Sequence, residues 1–131
     1  MQPLLSIVIA NYNYGRFIET AIKSIIEQDG FDKSELIIID GGSTDNSVDV
    51  IKKHADKIAY WVSEKDNGQS DAFNKGFAKA RGRLGCWVNA DDILLPGTLR
   101  AVLDKIENRP DVEWVTGGVV FFDNEMKIWK M

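Results

Sequence analysis

Apolar runs punctuate the chain: "LLSIVIA" at residues 4–10, "LIIID" at 36–40, "IAYWVS" at 58–63 and "LGCWVN" at 84–89. Runs this short, rich in β-branched side chains, suit strands covered on both faces. Between them the period changes. Phe17, Ile18, Ala21, Ile22, Ile25 and Ile26 fall at i, i+1, i+4, i+5, i+8 and i+9, which predicts a helix over 16–28 with one apolar stripe. Ala72, Phe73, Gly76, Phe77 and Ala80 repeat that spacing and predict a helix over 69–81. A shorter helix is expected over 46–55. Another, over 97–107, would turn Leu99, Val102, Leu103 and Ile106 inward, with Pro110 shortly after its end. Strand and helix alternate, so the expected class is α/β, a mostly parallel sheet with helices on its faces. The last stretch departs from this. "WVTGGVVFFD" and "NEMKIWKM" read as two strands joined by a turn near Asn124, a C-terminal antiparallel hairpin. No repeat, low-complexity tract or linker interrupts the pattern, which predicts a single domain over 1–131.

Composition narrows the partners more than the fold. With 131 residues, 44% hydrophobic and 27% charged, the chain is that of an ordinary globular domain with a real core. A formal net charge of -4 argues against a general nucleic-acid binder. The single cysteine, Cys86, excludes an intrachain disulfide, and its apolar surroundings predict a buried small hydrophobe. No Cys/His spacing resembles a zinc site. No basic region precedes the first apolar run, and no run approaches the roughly 18–20 residues of a membrane span, so a reducing cytoplasmic setting is expected, with attachment at the inner membrane face as its variant. His54 is expected to face solvent.

Ligands of open parallel sheets gather at the carboxyl ends of the strands. Those ends read "ANYNYG", "DGGSTD", "EKDNGQSD" and "NADD" in turn. Asp40 closes an apolar strand, where a carboxylate can accept hydrogen bonds from a ribose hydroxyl or a base N–H. Gly41 and Gly42 permit positive φ and close approach, and Ser43, Thr44 or Asp45 can cap the next helix. No G-x-G-x-x-G follows the first strand and no G-x-x-x-x-G-K-[ST] occurs, so phosphates must be met in another way. Asp91 and Asp92 supply one. Adjacent carboxylates repel and resist leaving water, and a Mg2+ or Mn2+ ion held by Asp91, sharing diphosphate oxygens, would offset that cost.

The residues resemble those of the inverting GT-A glycosyltransferases of family 2. "SIVIANYNYGRFIETAIKSIIEQ" looks like that family's first strand and helix, "ELIIIDGGSTDNS" like its second-strand motif, and "NKGFAKARGRLGCWVNADDILLPGTL" like the run through its DxD. The likeness covers roughly residues 4–104. It implies a GT-A fold, a nucleotide-sugar donor, commonly a UDP-sugar, and an acceptor that is a glycan or lipid-linked sugar in polysaccharide biosynthesis. It also implies site residues. Ala10, Asn11, Tyr12, Asp40, Gly42 and Ser43 would contact the donor from the first two strand ends. Gly68, Asp71, Asn74, Asn89 and Ala90 would contact it from the later ones. Asp91 would bind the metal, with Asp92 beside it as its catalytic partner.

Several positions depart from that pattern. Gly41 stands where a second acid often follows Asp40, which removes a base contact. Asn89 replaces the first Asp of DxD, and Phe73 stands where an Arg is frequent. Members of the family carry a second half that binds the acceptor and supplies the general base, so the 131 residues are expected to form a truncated, donor-binding part. Two other classes compete. A binding or self-associating module would use Trp114, Phe121, Phe122 and Trp129 as an interface, although local core is the plainer expectation for them. A metal-dependent nucleotidyltransferase would share the acids, but "DGGSTD" and "NADD" at this spacing favour sugar transfer.

Overall fold

Two of the apolar runs behave as strands buried on both faces, and two do not. The computed structural model describes residues 2–123 and 125–130, the side chains of Trp129 and Lys130 excepted. Strands β1 (Leu5–Asn11), β2 (Ser34–Asp40), β3 (Tyr60–Ser63) and β4 (Leu84–Asn89) form a parallel sheet in the order β3-β2-β1-β4. In the centre, Ile7, Val8 and Ile9 of β1 and Leu36 to Ile39 of β2 are almost wholly buried. β3 and β4 are edges among the described residues, and their side chains are half-buried or exposed. Trp87 of β4 is 59% exposed, and Cys86 is half-buried rather than enclosed as expected. Its apolar neighbours still push the thiol up to about 11, because burial disfavours the thiolate.

The helices are α1 (Gly15–Ile26), α2 (Ser47–Lys53), α3 (Gln69–Phe77) and α4 (Thr98–Asn108), with ends within four residues of those the spacing predicts. Ile18, Ala21, Ile22 and Ile25 of α1 are buried as its stripe requires, with Phe17 and Ile26 half-buried beside them. On α4 the inward row is Leu99, Leu103 and Ile106. α1, α2 and α4 cover one face of the sheet, where these side chains meet Ile7, Ile9, Leu36, Ile38 and Ile51. α3 covers the other, setting Ala72, Phe73 and Phe77 against Val8, Ile37 and Ile39. The alternation of Ile7, Val8 and Ile9 between the two clusters is the period-2 geometry of a strand with both sides covered. Each fully buried isoleucine contributes roughly 1.5–3 kcal/mol relative to exposure.

The closing hairpin is shorter than expected. Only β5 (Phe121–Phe122) and β6 (Ile128–Lys130) pair, antiparallel and apart from the main sheet, and residues 113–120 are irregular. The turn at Asn124 lies outside the described residues, as does the side chain of Trp129. Trp114 is 81% exposed, so local core is not its role, and Phe121 is 43% exposed.

Candidate nucleotide-sugar site

Register decides what the carboxyl edge contains. β1 aligns Asn11 with Asp40 of β2, and β2 aligns Asp40 with Ser63 of β3, so three polar residues stand in one lateral row. Asp40 is fully buried at its centre. Its Oδ1 accepts from Asn11 Nδ2 at 2.7 Å and Ser43 Oγ at 2.5 Å. Its Oδ2 accepts from Ser63 Oγ at 2.6 Å and from the N–H groups of Ser43 at 2.8 Å and Gly42 at 3.2 Å. Burial alone would raise this carboxyl; the hydroxyls of Ser43 and Ser63, the Ser43 N–H and the Asn11 amide outweigh it and hold Asp40 below the usual carboxylate range. The φ of +82° at Gly42 lets the chain fold back so that both N–H groups meet the carboxylate. Asp40 therefore spends its acceptors on protein. The sequence suggests an Asp40 open to ribose or base; here its carboxylate is buried and takes its hydrogen bonds from protein donors.

The loops after β1 and β2 are tied to one another as well. Asn13, in a left-handed conformation that asparagine tolerates, donates its N–H to Ser43 Oγ at 2.8 Å and accepts the Thr44 N–H at 2.8 Å. Asp45 accepts the Gly15 N–H at 2.8 Å and the Ser47 N–H at 2.9 Å, serving the first residues of α1 and α2 with one carboxylate. Of the capping candidates after β2, Asp45 is thus the one used.

In front of this knot lies a cleft of about 430 Å³. Ala10, Asn11 and Tyr12 line it from β1, Gly68 from the loop before α3, and Asn89, Ala90 and Asp91 from β4. Seven of the expected site residues are so brought together. Asp92 lines an adjoining hollow beside Arg16, Phe17 and Phe122. Asp40, Gly42 and Ser43 stand behind the wall. Asp71 and Asn74 do not line the cleft either. Asp71 accepts the Asn67 N–H at 3.0 Å and pairs with Lys75 at 3.5 Å, which hold it below the ordinary carboxylate range, while Asn74 is exposed on α3. Both lie on α3, outside the residues that line the cleft. His54 is less exposed than expected, with its side chain at 13%, and is held by Glu19 at 3.1 Å, away from the cleft.

Sequence reasoning missed four contributors. Ser63 could have been found from the parallel register, since it ends β3 level with Asp40. Asn13 and Asp66 lie in loops whose path no periodicity fixes. Gln69, whose amide donates to Asn89 Oδ1 at 3.0 Å, links the start of α3 to the end of β4.

The twin acids do not need a cation to be tolerated. Both are exposed, and Asp92 Oδ2 accepts from Asn89 Nδ2 at 2.9 Å. Asp91 has no hydrogen-bond or ion-pair partner among the described residues, which leaves its oxygens available on the cleft wall. No three His, Cys, Asp or Glu side chains cluster as an all-protein metal cage among the described residues. One free carboxylate completed by phosphate oxygens and water nevertheless suits Mg2+ or Mn2+, which seldom use such cages. A second atom is also unserved: Asn11 is 3% exposed, and its Oδ1 has no partner. Leaving a buried acceptor unmet costs roughly 1–3 kcal/mol.

The chain is 40% identical over 107 residues to an uncharacterized glycosyltransferase of Nostoc sp., covering 79% of this chain and 33% of that one. It is 30% identical over 133 residues to an uncharacterized glycosyltransferase of Methanocaldococcus jannaschii, covering 98% and 46%. The chain thus spans from a third to under half the length of these relatives. Among solved structures, S. aureus TarS 1-349 in complex with UDP-GlcNAc superposes with a TM-score of 0.72 at 22% identity, covering 81% of this chain and 32% of that one. The mannosyltransferase PcManGT from Pyrobaculum calidifontis, in complex with GDP-Man and Mn2+, gives 0.70 at 24%, covering 85% and 33%. At those identities the likeness establishes a common fold, the GT-A architecture expected from the motifs. Residues 6–130 match the profile of glycosyl transferase family 2, and the chain belongs to that family.

Proposed function

We propose that this chain is the donor-binding part of an inverting glycosyltransferase and holds a nucleotide-diphospho-sugar, with Mg2+ or Mn2+, in the cleft at the carboxyl edge of its sheet. The observation that carries the reading is Asp91, an exposed carboxylate without a protein partner at the end of β4 on the cleft wall. Tyr12 and Tyr14, 59% and 44% exposed at the cleft, offer aromatic faces to the base. Asn89, steadied by Gln69 and turned to Asp92, fixes the loop that carries Asp91. Asp40 positions Asn11 and touches no ligand. The donors in the TarS and PcManGT complexes support a nucleotide-sugar as the ligand class.

In the reaction an acceptor hydroxyl attacks the anomeric carbon, the bond to the diphosphate oxygen breaks, and nucleoside diphosphate leaves with inversion at carbon. The metal, when bound, neutralises charge developing on the departing diphosphate. This chain's own share is to orient the donor and present Asp91. His54, the one histidine of the chain, is held by Glu19 away from the cleft, and no residue of this chain is assigned as the acceptor's general base. The test is thermal unfolding with and without nucleoside diphosphate: protection should require Mn2+ or Mg2+, and Asp91→Ala should abolish the metal-dependent part. Protection that is equal in a metal chelator, or untouched in Asp91→Ala, would overturn it.

A second reading concerns assembly. Trp114 and Trp87 are 81% and 59% exposed and line one hollow, and β4 is an edge strand among the described residues. Apolar surface beside a free strand edge favours association, so we propose that this chain by itself self-associates through that side.

A further inference from the structure

Arg16, the second residue of α1, carries a charge that the donor-binding reading does not use. Its guanidinium lies over the Phe17 ring, 5.3 Å from the centroid, and makes no hydrogen bond or ion pair among the described residues. It lines the hollow of about 500 Å³ that adjoins the cleft, whose other charged walls are Asp91, Asp92 and Asp123. Three carboxylates therefore share a space with one guanidinium that closes on none of them. Asp92 is occupied by the Asn89 amide, and Asp123 Oδ1 accepts the N–H groups of Glu125 at 2.9 Å and Lys127 at 3.0 Å. A cation in the first turn of a helix also opposes the helix dipole, an opposition that the Phe17 ring offsets in part. A charge so placed calls for an anion from outside the fold.

Asp91 lines both the hollow and the cleft, so it marks their junction. Of the described residues that line the two spaces, Asp66, Asp91, Asp92 and Asp123 are acidic and Arg16 alone is basic. A nucleoside diphosphate brings more negative charge to this junction, and Arg16 is the one protein cation placed to meet it. Resting on the donor-binding reading above, we propose that Arg16 binds the distal phosphate of the donor, the one that bears the sugar. The order follows from the two spaces: with the nucleoside in the cleft and the diphosphate at Asp91, the phosphate farther from the nucleoside comes to the side of the hollow. There the planar guanidinium, steadied on Phe17, presents paired N–H donors to two phosphate oxygens. When the bond from the anomeric carbon to the distal phosphate oxygen breaks, its electron pair stays on that oxygen. Arg16 stabilises the added charge and transfers no proton.

The test is titration calorimetry of the 131-residue protein in Mn2+ with UDP, GDP, CDP and ADP, each beside its monophosphate. The ratio of diphosphate to monophosphate affinity isolates the distal phosphate. Arg16→Met keeps the aliphatic stem over Phe17 and removes the charge, so that ratio should fall at least about tenfold for the diphosphate that binds best, while its monophosphate binds within about twofold of wild type. Arg16→Lys keeps the charge without the fork and should restore part of the ratio. Circular dichroism confirms that both variants fold. A purely structural Arg16 would weaken diphosphate and monophosphate alike. An unchanged ratio in Arg16→Met, equal losses for the two ligands, or a loss confined to the intact sugar nucleotide overturns the inference and leaves the donor-binding reading standing. Absence of binding by all four diphosphates to the wild type overturns both.

Discussion

Asp40 affords the sharpest energetic prediction, because its carboxylate is fully buried and receives five hydrogen bonds. In Asp40→Ala the hydroxyls of Ser43 and Ser63 can rotate towards other acceptors. The N–H groups of Gly42 and Ser43 and the amide of Asn11 cannot easily do so. Three stranded donors at roughly 1–1.5 kcal/mol each give a loss of about 3–5 kcal/mol. That is a large part of the roughly 5–15 kcal/mol that holds a domain folded, and it corresponds to a fall in Tm of roughly 12–20 °C. Asp40→Asn should cost less, about 1–2 kcal/mol, because Asn11 can turn its amide and present its unserved Oδ1 to the new NH2. The pH dependence separates charge from shape. The folded-state pKa of Asp40 lies below its ordinary 3.8, so the charge contributes stability that is fully present above that value and is lost as pH falls through the folded pKa. Urea denaturation followed by circular dichroism at pH 7 and in steps below pH 5 should therefore show the wild type losing its advantage over Asp40→Asn as acid is added. A deficit of under about 1 kcal/mol in Asp40→Ala, or an Asp40→Asn deficit that stays constant into acid, would refute the account of Asp40 as a charged anchor.

The remaining predictions address other links. Asp91→Ala, which removes an exposed side chain without partners, should change urea stability by no more than about 0.5 kcal/mol while removing metal-dependent nucleotide protection; a large stability loss would show that the acid has structural contacts. Gly76→Ala should destabilise by roughly 1–3 kcal/mol in the same denaturation assay, since its Cβ would collide with Val8 Cγ1 in the packed layer between α3 and the sheet. Light scattering should show the 131-residue chain associating at micromolar concentration and Trp114→Ser shifting it towards monomer; a stable monomer in the wild type would sink the association reading.

Much of this molecule was legible in its sequence. Four strands, four helices and their parallel arrangement follow from side-chain period, which is local: Ile18, Ala21, Ile22 and Ile25 must share a face once the segment is helical, whatever lies opposite. That β3 and β4 are edges among the described residues was not legible, because a run such as "LGCWVN" reads alike whether one side or both are covered. The motifs likewise named the loops that carry the site, and Ala10, Asn11, Tyr12, Gly68, Asn89, Ala90 and Asp91 do meet in one cleft. Which side chains of those loops face a ligand depended on distances between segments far apart in the chain. Asp40 is enclosed because register sets Asn11 and Ser63 on either side of it. Asp66 reaches the cleft because Gly41, 25 positions earlier, leaves it room. Period and residue type thus determined the elements and the edge where chemistry gathers. Only packing between remote segments could assign each polar side chain to protein or to solvent, since a buried acceptor is claimed by whichever donor the fold brings within hydrogen-bond reach.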